Sequence, residues 1–305
     1  MEIYMTQISF PGLGIGPFTV DPIAFSVFGV SITWYGLLIT TGMVLAFFYC
    51  MMRAKQEGVK SDDIIDLAIV TIILAILGAR LYYVIFEFDS FLATGGTPLQ
   101  NFGSTLANIV NIRSGGLAIY GGIIGGMIAA AIISKAKKIR LPILFDIMAG
   151  GVMIGQIIGR WGNFMNAEAY GYETTLPWRM GIERISGGGA FISPIIEVHP
   201  TFLYESLWNL IGFIVLCILY KNKKFRGEIY AFYFVWYGTG RAIIEGFRSD
   251  SLWLFGEGTI RVSQALSMGL VLVGAVILVF GFIKVYKGID LWAIIGSKLK
   301  LKKKH

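Results

Sequence analysis

Residues 159–171 read Gly-Arg-Trp-Gly-Asn-Phe-Met-Asn-Ala-Glu-Ala-Tyr-Gly. They follow an apolar run, 141–158, long enough to form most of a membrane span, so Arg160 and Asn163 stand at or inside its outer end. A charge at the bilayer centre costs roughly 2.5–3.5 kcal/mol on insertion scales unless it is paired or faces a wet cavity. Helical residues three apart share a face, so the Arg160 guanidinium and the Asn163 amide point the same way. Together they make a fork of donors suited to a phosphate or a carboxylate. The plainer alternative is an interfacial arginine snorkelling to lipid headgroups.

Further polar residues fall at membrane depth. Tyr237, Arg241, Glu245 and Arg248 recur at helical spacing on one face, and Arg241 with Glu245 can pair at i,i+4. That pair either lines a site or only locks its helix to the bundle. His199-Pro200-Thr201-Phe202-Leu203-Tyr204-Glu205 supplies a histidine and another carboxylate at the mouth of the next apolar run. His199 either caps that helix or titrates near neutral pH. In Trp34-Tyr35-Gly36 the tyrosine is an aromatic-belt anchor or a hydroxyl for a buried partner. The run from Ser114 through Gly115-Gly116 to Tyr120-Gly121-Gly122 and Gly125-Gly126 puts small residues every fourth position, as closely packed membrane helices require. Gly115-Gly116 interrupt the start of that helix, leaving Tyr120 either beside a cavity or simply packed.

Two arginines, an asparagine and tyrosine hydroxyls would cradle a phosphate at headgroup level, and a phospholipid entering sideways from the bilayer fits better than a soluble anion. Asp62, Asp63 and Asp66 lack the longer aspartate repeat of metal-dependent lipid phosphotransferases, so no metal and no cofactor is expected. A phospholipid or organic-anion transporter is the alternative to an enzyme, although no inverted internal repeat is evident.

The elements that hold these residues are membrane spans. Of 305 residues 55% are hydrophobic and only 15% charged, against about 25% charged in soluble domains. Seven spans are predicted, at 30–52, 63–88, 115–134, 142–165, 202–220, 229–247 and 262–286, giving an all-α polytopic fold. The stretch 17–30 contains Pro22 and polar breaks and reads as an interfacial or re-entrant segment. Lys and Arg cluster in three alternate loops (Arg53 to Lys60, Lys135 to Arg140, Lys221 to Arg226) and in the tail, while the loops between them are nearly bare. The positive-inside rule puts the N-terminus outside and the C-terminus in the cytoplasm, the parity of seven spans. The net charge of +7 therefore points to anionic lipid surfaces and not to nucleic acid. A polar insertion, 166–200, containing Gly187-Gly188-Gly189, is expected as an external head or lid, and 287–305 as a basic cytoplasmic tail with amphipathic character at 291–302. The first 30 residues lack a basic n-region, so no cleavable signal is expected, and Cys50 and Cys217 are expected as free buried thiols.

The order Gly159-Arg160-Trp161-Gly162-Asn163-Phe164-Met165-Asn166-Ala167-Glu168 with Gly171, the His199-to-Glu205 run, the segment from Arg241 to Asp250, and Arg80 in Gly78-Ala79-Arg80-Leu81 resembles the prolipoprotein diacylglyceryl transferases. The resemblance implies a seven-span enzyme of the bacterial cytoplasmic membrane, one membrane domain over 1–305, with its site towards the outer face. It implies transfer of the diacylglyceryl group of phosphatidylglycerol to the lipobox cysteine of a prolipoprotein, forming a thioether and releasing glycerol 1-phosphate. The family's essential arginines fall on Arg160 and Arg241, its asparagine on Asn163, its glycine on Gly171 and its first-span tyrosine on Tyr35. Glu245 matches a carboxylate one turn beyond the second arginine. Some members carry a histidine, proposed as a base, where this chain has Tyr120. The catalytic candidates are thus Arg160, Arg241, Tyr120, Glu245 and His199, and the substrate-binding candidates Tyr35, Asn163, Glu168, Gly171 and Arg248.

Overall fold

The computed structural model describes residues 5–112, 115–185, 193–254, 256 and 258–288. Gly187-Gly188-Gly189, Ser114 and the tail beyond 288 lie outside the described residues. Helices α1 (Trp34–Gln56), α2 (Ser61–Phe86), α3 (Pro98–Val110), α4 (Ile119–Lys137), α5 (Leu141–Met165), α6 (Thr201–Lys221), α7 (Glu228–Glu245) and α8 (Val262–Lys287) account for most of the described chain. Six of them, all but α3 and α7, are long and apolar enough to cross a bilayer. Helix α7, the predicted sixth span, carries Glu228, Arg241 and Glu245 within 18 residues and is not among them. The chain divides into two compact units, residues 51–145 and residues 1–50 with 146–305.

In the 51–145 unit, α2 and α4 meet on glycine. A Cβ on Gly121 or Gly125 would collide with the backbone oxygens of Gly78 and Leu74, which explains the small-residue spacing. Gly115 and Gly116 take φ of +91° and +74°, the interrupted helix start expected of them. Arg80, 7% exposed, binds their carbonyls with Nη1 at 2.7 and 2.9 Å. Its Nε reaches the Ile109 oxygen at 2.8 Å, and its Nη2 those of Asn108 and Asn111 at 2.8 and 2.9 Å. All five guanidinium N–H bonds end on main chain. Lys137 pairs with Asp63 at 3.4 Å and Asp66 at 2.5 Å. Helix α3 starts on a Thr97–Gln100 capping box in a stretch read from sequence as loop. It exposes Leu99, Phe102, Leu106 and Val110, an apolar stripe at helical spacing that suits the membrane interface.

The other unit corrects the all-α expectation. Strands β1 (Met5–Phe10), β2 (Ile15–Val20), β5 (Met180–Ile185) and β6 (Ile196–Val198) form an antiparallel sheet in the order β2-β1-β5-β6, with Ile8 opposite Ile182. Strands β3 (Ile23–Val27) and β4 (Val30–Thr33) form a hairpin whose Phe28 and Gly29 both have positive φ, the two-residue turn that matches strand twist. The segment 17–30, read from sequence as interfacial or re-entrant, comprises the end of β2 and most of this hairpin. Its apolar residues are interrupted too often for a span, and Thr6 and Ile8 on β1 are buried alternately, as a half-buried strand requires. Ile8, Val20, Met180, Ile182 and Val198 pack with Ala167 and Phe202, so the sheet caps the α5 end and the α6 start. Fully burying such a side chain is worth about 1.5–3 kcal/mol.

Below that cap, Tyr49, Ala149, Met153, Leu216, Tyr220 and Ile229 form a core among α1, α5, α6 and α7. Asp146 of α5, wholly buried, accepts the backbone N–H groups of Gly227, Ile229 and Tyr230 at 2.7, 3.1 and 3.1 Å. A long-range carboxylate thereby satisfies the start of α7 and complements its dipole. Cys50 and Cys217 are free and half-buried.

Candidate active site

Three helices bring charge to one point. Arg160 lies near the C-terminal end of α5, Glu205 in the second turn of α6, and Arg241 near the end of α7. The Glu205 carboxylate bridges both arginines, with Oε1 2.7 Å from Arg160 Nη2 and Oε2 3.0 Å from Arg241 Nη1. Arg241 Nη2 meets Glu245 Oε2 at 2.7 Å, the i,i+4 pair expected from sequence. The side chains of Glu205 and Glu245 are 3% and 2% exposed, those of Arg160 and Arg241 20% and 12%. Two guanidinium charges balance two carboxylates, which makes burial tolerable. Beside them Trp161 Nε1 donates to Ser206 Oγ at 3.2 Å, and Ser206 Oγ donates to the Ile157 carbonyl at 3.0 Å, fixing α6 against α5.

Asn163 extends the cluster outward along α5. Arg160 Nη1 donates to its Oδ1 at 3.2 Å, and its Nδ2 donates to Glu168 Oε1 at 2.8 Å. The turn that carries Glu168 back towards Asn163 holds Ala167 and Ala169 at φ of +47° and +56°, a left-handed conformation that non-glycine residues rarely adopt. Tyr35 packs its ring on Gly162, where an added Cβ would come within 2.7 Å of Cδ2. The site thus gathers Arg160, Arg241, Glu245, Asn163, Glu168 and Tyr35.

The remaining candidates have other surroundings. Gly171 gives its N–H to the His199 carbonyl at 3.0 Å, and a Cβ there would lie 2.6 Å from His199 Cβ and 2.7 Å from the Phe247 oxygen. Only glycine fits this crossing of three strands of chain. The Tyr204 hydroxyl accepts from Trp178 Nε1 at 2.7 Å and lies 3.1 Å from His199 Nδ1. The His199–Tyr204 hydrogen bond runs in either direction according to the His199 tautomer. Partial burial holds the His199 pKa below its usual value, so the ring is neutral at neutral pH.

Arg248 departs from the expected face. Helix α7 stops at Glu245, and Arg248 instead forks onto Asp250 at 2.9 and 2.8 Å. Burial opposes ionisation of Asp250, but the Arg248 fork outweighs it and holds that carboxyl below the ordinary range. Tyr120 belongs to the 51–145 unit, on α4, tilted against Tyr82 with ring centres 6.1 Å apart.

Sequence reasoning noted Glu205 as one more carboxylate and missed it as the hub. The signal was present: a glutamate in the first turns of an apolar span has to find cations.

A family model described as prolipoprotein diacylglyceryl transferase matches residues 22–280. The chain belongs to the prolipoprotein diacylglyceryl transferase family. The match spans α1 to most of α8, including every residue of the Glu205 cluster, and leaves β1 and β2 outside it. Among curated relatives, the phosphatidylglycerol–prolipoprotein diacylglyceryl transferase of Finegoldia magna is 42% identical over 259 residues, 85% of this chain and 94% of its own length. The protein of the same name from Streptococcus pneumoniae is 44% identical over 268 residues, 86% of this chain and 94% of its own. That from Clostridioides difficile is 41% identical over 249 residues, 82% and 90% respectively. These names leave the transporter alternative without support.

Proposed function

We infer that this protein is a multi-pass bacterial membrane enzyme that transfers the diacylglyceryl group of phosphatidylglycerol to the lipobox cysteine thiol of prolipoproteins. The observation that carries the reading is a pair of arginines from different helices held on one carboxylate. Glu205 occupies the position between the guanidinium groups that a phosphate would take, and each arginine keeps donors beyond those it gives to Glu205. The cysteine sulfur attacks the glycerol C3 of the lipid, an S–C bond forms, and the C3–O bond breaks. The phosphodiester, with one negative charge, leaves as the more highly charged glycerol 1-phosphate. Arg160 and Arg241 stabilise the charge that grows on the leaving oxygens. Asn163, itself anchored by Glu168, orients the phosphate, and Tyr35 closes the site over Gly162.

The thiol proton must leave, because the thiolate is the nucleophile. Glu245 and neutral His199 are the candidate acceptors within the unit that holds the arginines. His199 Nδ1 already faces the Tyr204 hydroxyl, so it would have to exchange that partner. We read α7, with its ion pairs, as the sixth of seven spans, and the charge bias of the loops supports a centre towards the outer face of the cytoplasmic membrane.

The test is transfer by purified protein in nanodiscs given phosphatidylglycerol and a lipobox peptide, read by mass spectrometry. A diacylglyceryl-sized gain, absent from a Cys→Ala peptide, is expected. No gain from folded protein would contradict the reading.

A further inference from the structure

Beneath the Glu205 cluster the helices continue to present polar groups that the reaction above does not use. Asn209, one turn below Glu205 on α6, is fully buried, and neither its Nδ2 nor its Oδ1 has a partner among the described residues. Gln156, one turn below Arg160 on α5, donates from Nε2 to the Tyr233 hydroxyl at 3.0 Å, while its buried Oε1 is likewise unpartnered. The two lie at one level. Ser206 of α6 bonds to Ile157 of α5, and a Cβ on Gly212 of α6 would meet Met153 of α5 at 2.6 Å. Between these crossings the antiparallel helices offer Asn209 and Gln156.

A buried amide group left unmatched is costly, so three such atoms at one level mark a place built to receive hydrogen bonds. Whichever way the Gln156 amide is turned, the inventory holds at least one amide oxygen that needs a donor, at least one amide nitrogen that needs an acceptor, and no charge. An acyl ester carbonyl offers no donor for the Asn209 oxygen. A trimethylammonium offers none either. A primary ammonium would satisfy the Asn209 oxygen but leave Asn209 Nδ2 unmatched, next to the positive groups of Arg160 and Arg241. A vicinal diol supplies two donors and two acceptors.

We propose that Asn209 and Gln156 bind the headgroup glycerol of the lipid substrate and set its selectivity for a hydroxylated phospholipid. The proposal rests on the transferase reading. One helical turn, about 5.4 Å, separates this level from the arginines, a span comparable to that from a phosphate to the far hydroxyls of its glycerol ester. The headgroup glycerol stays on the phosphate when C3–O breaks, so these amides hold the leaving group while the thiolate approaches from the opposite side.

The experiment compares two lipids of identical chains, phosphatidylglycerol and phosphatidylpropanol, whose headgroup has no hydroxyl. Transfer to a lipobox peptide is measured by mass spectrometry for the intact protein, Asn209→Leu and Gln156→Met. The ratio of kcat/KM between the lipids is taken within each protein, so partial misfolding of a variant cancels. The intact protein is expected to favour phosphatidylglycerol, and each substitution to lower that ratio about tenfold, chiefly by reducing the phosphatidylglycerol value. An unchanged ratio in both variants, or no preference in the intact protein, would overturn the proposal and leave the amides serving water or packing only. Transfer from neither lipid by the intact protein would instead contradict the transferase reading, and is separately visible.

Discussion

Arg80, buried, and the pair Arg160–Arg241, partly buried, are arginines of apolar helices held in opposite ways. Arg80 directs all five N–H groups to main-chain carbonyls of residues 108–116 and stacks on Phe91 with its Cζ 4.8 Å from the ring centre. Nothing about it is left to bind a ligand. Arg160 and Arg241 are held by side chains, chiefly one shared carboxylate, and each keeps donors that this carboxylate does not take. A full set of carbonyl partners makes an arginine a scaffold; a shared carboxylate that leaves donors over makes it a binding group. The same residue type on an apolar helix therefore carries no functional meaning until its partners are known.

The contrast can be broken experimentally, beginning with the largest effect. Arg80→Ala orphans five carbonyls and is expected to destabilise the protein by about 3–5 kcal/mol, seen as a collapse of thermal midpoint and yield. Arg80→Lys, with three donors and no planar fork, is expected to rescue little of this. Glu205→Gln leaves the arginines with one unbalanced positive charge. Here kcat is expected to fall about tenfold to a hundredfold while KM for phosphatidylglycerol does not rise, because ground-state attraction survives and positioning does not.

Gly171→Ala forces a Cβ against His199 and the Phe247 carbonyl and is expected to lower stability by about 1–3 kcal/mol, measured by thermal melting. A smaller effect follows from pH. Burial lowers the folded His199 pKa below its ordinary value of 6.5, so its contribution to stability is present above that value and is lost as pH falls through the folded pKa. Trp178 fluorescence should report loosening of the His199–Tyr204–Trp178 chain as pH falls through the lowered His199 pKa, and His199→Gln should remove that dependence. Lys137→Ala, which breaks an exposed ion pair, is expected to leave the thermal midpoint unresolved from that of the intact protein.

What could be read in advance was local. Arg160 with Asn163, and Arg241 with Glu245, were legible because helical spacing alone puts each pair on one face. The Gly121 and Gly125 contact was legible for the same reason. Glu205 as hub was not, since its arginines lie 45 and 36 residues away in sequence and only tertiary packing joins them. The sheet was hidden too. Strand β1 finds β5 some 175 residues later, and a six-residue alternation is weak beside long apolar helices. Helix α3 was lost in a stretch too short to span a bilayer, although its capping box stands in the sequence. Arg248 lies past the end of α7, and its fork onto Asp250 was not legible from helical spacing.

The central claim is that the Glu205 arginines do chemistry and Arg80 does not. It is tested most directly by the transfer rate per folded molecule, from phosphatidylglycerol to a lipobox peptide, for Arg160→Ala and Arg241→Ala, with folded protein quantified by melting in the same samples. The expected result is a loss of at least about 10²–10³-fold in kcat in each variant with most of the protein still folded. Near-normal transfer per folded molecule in both would contradict the account.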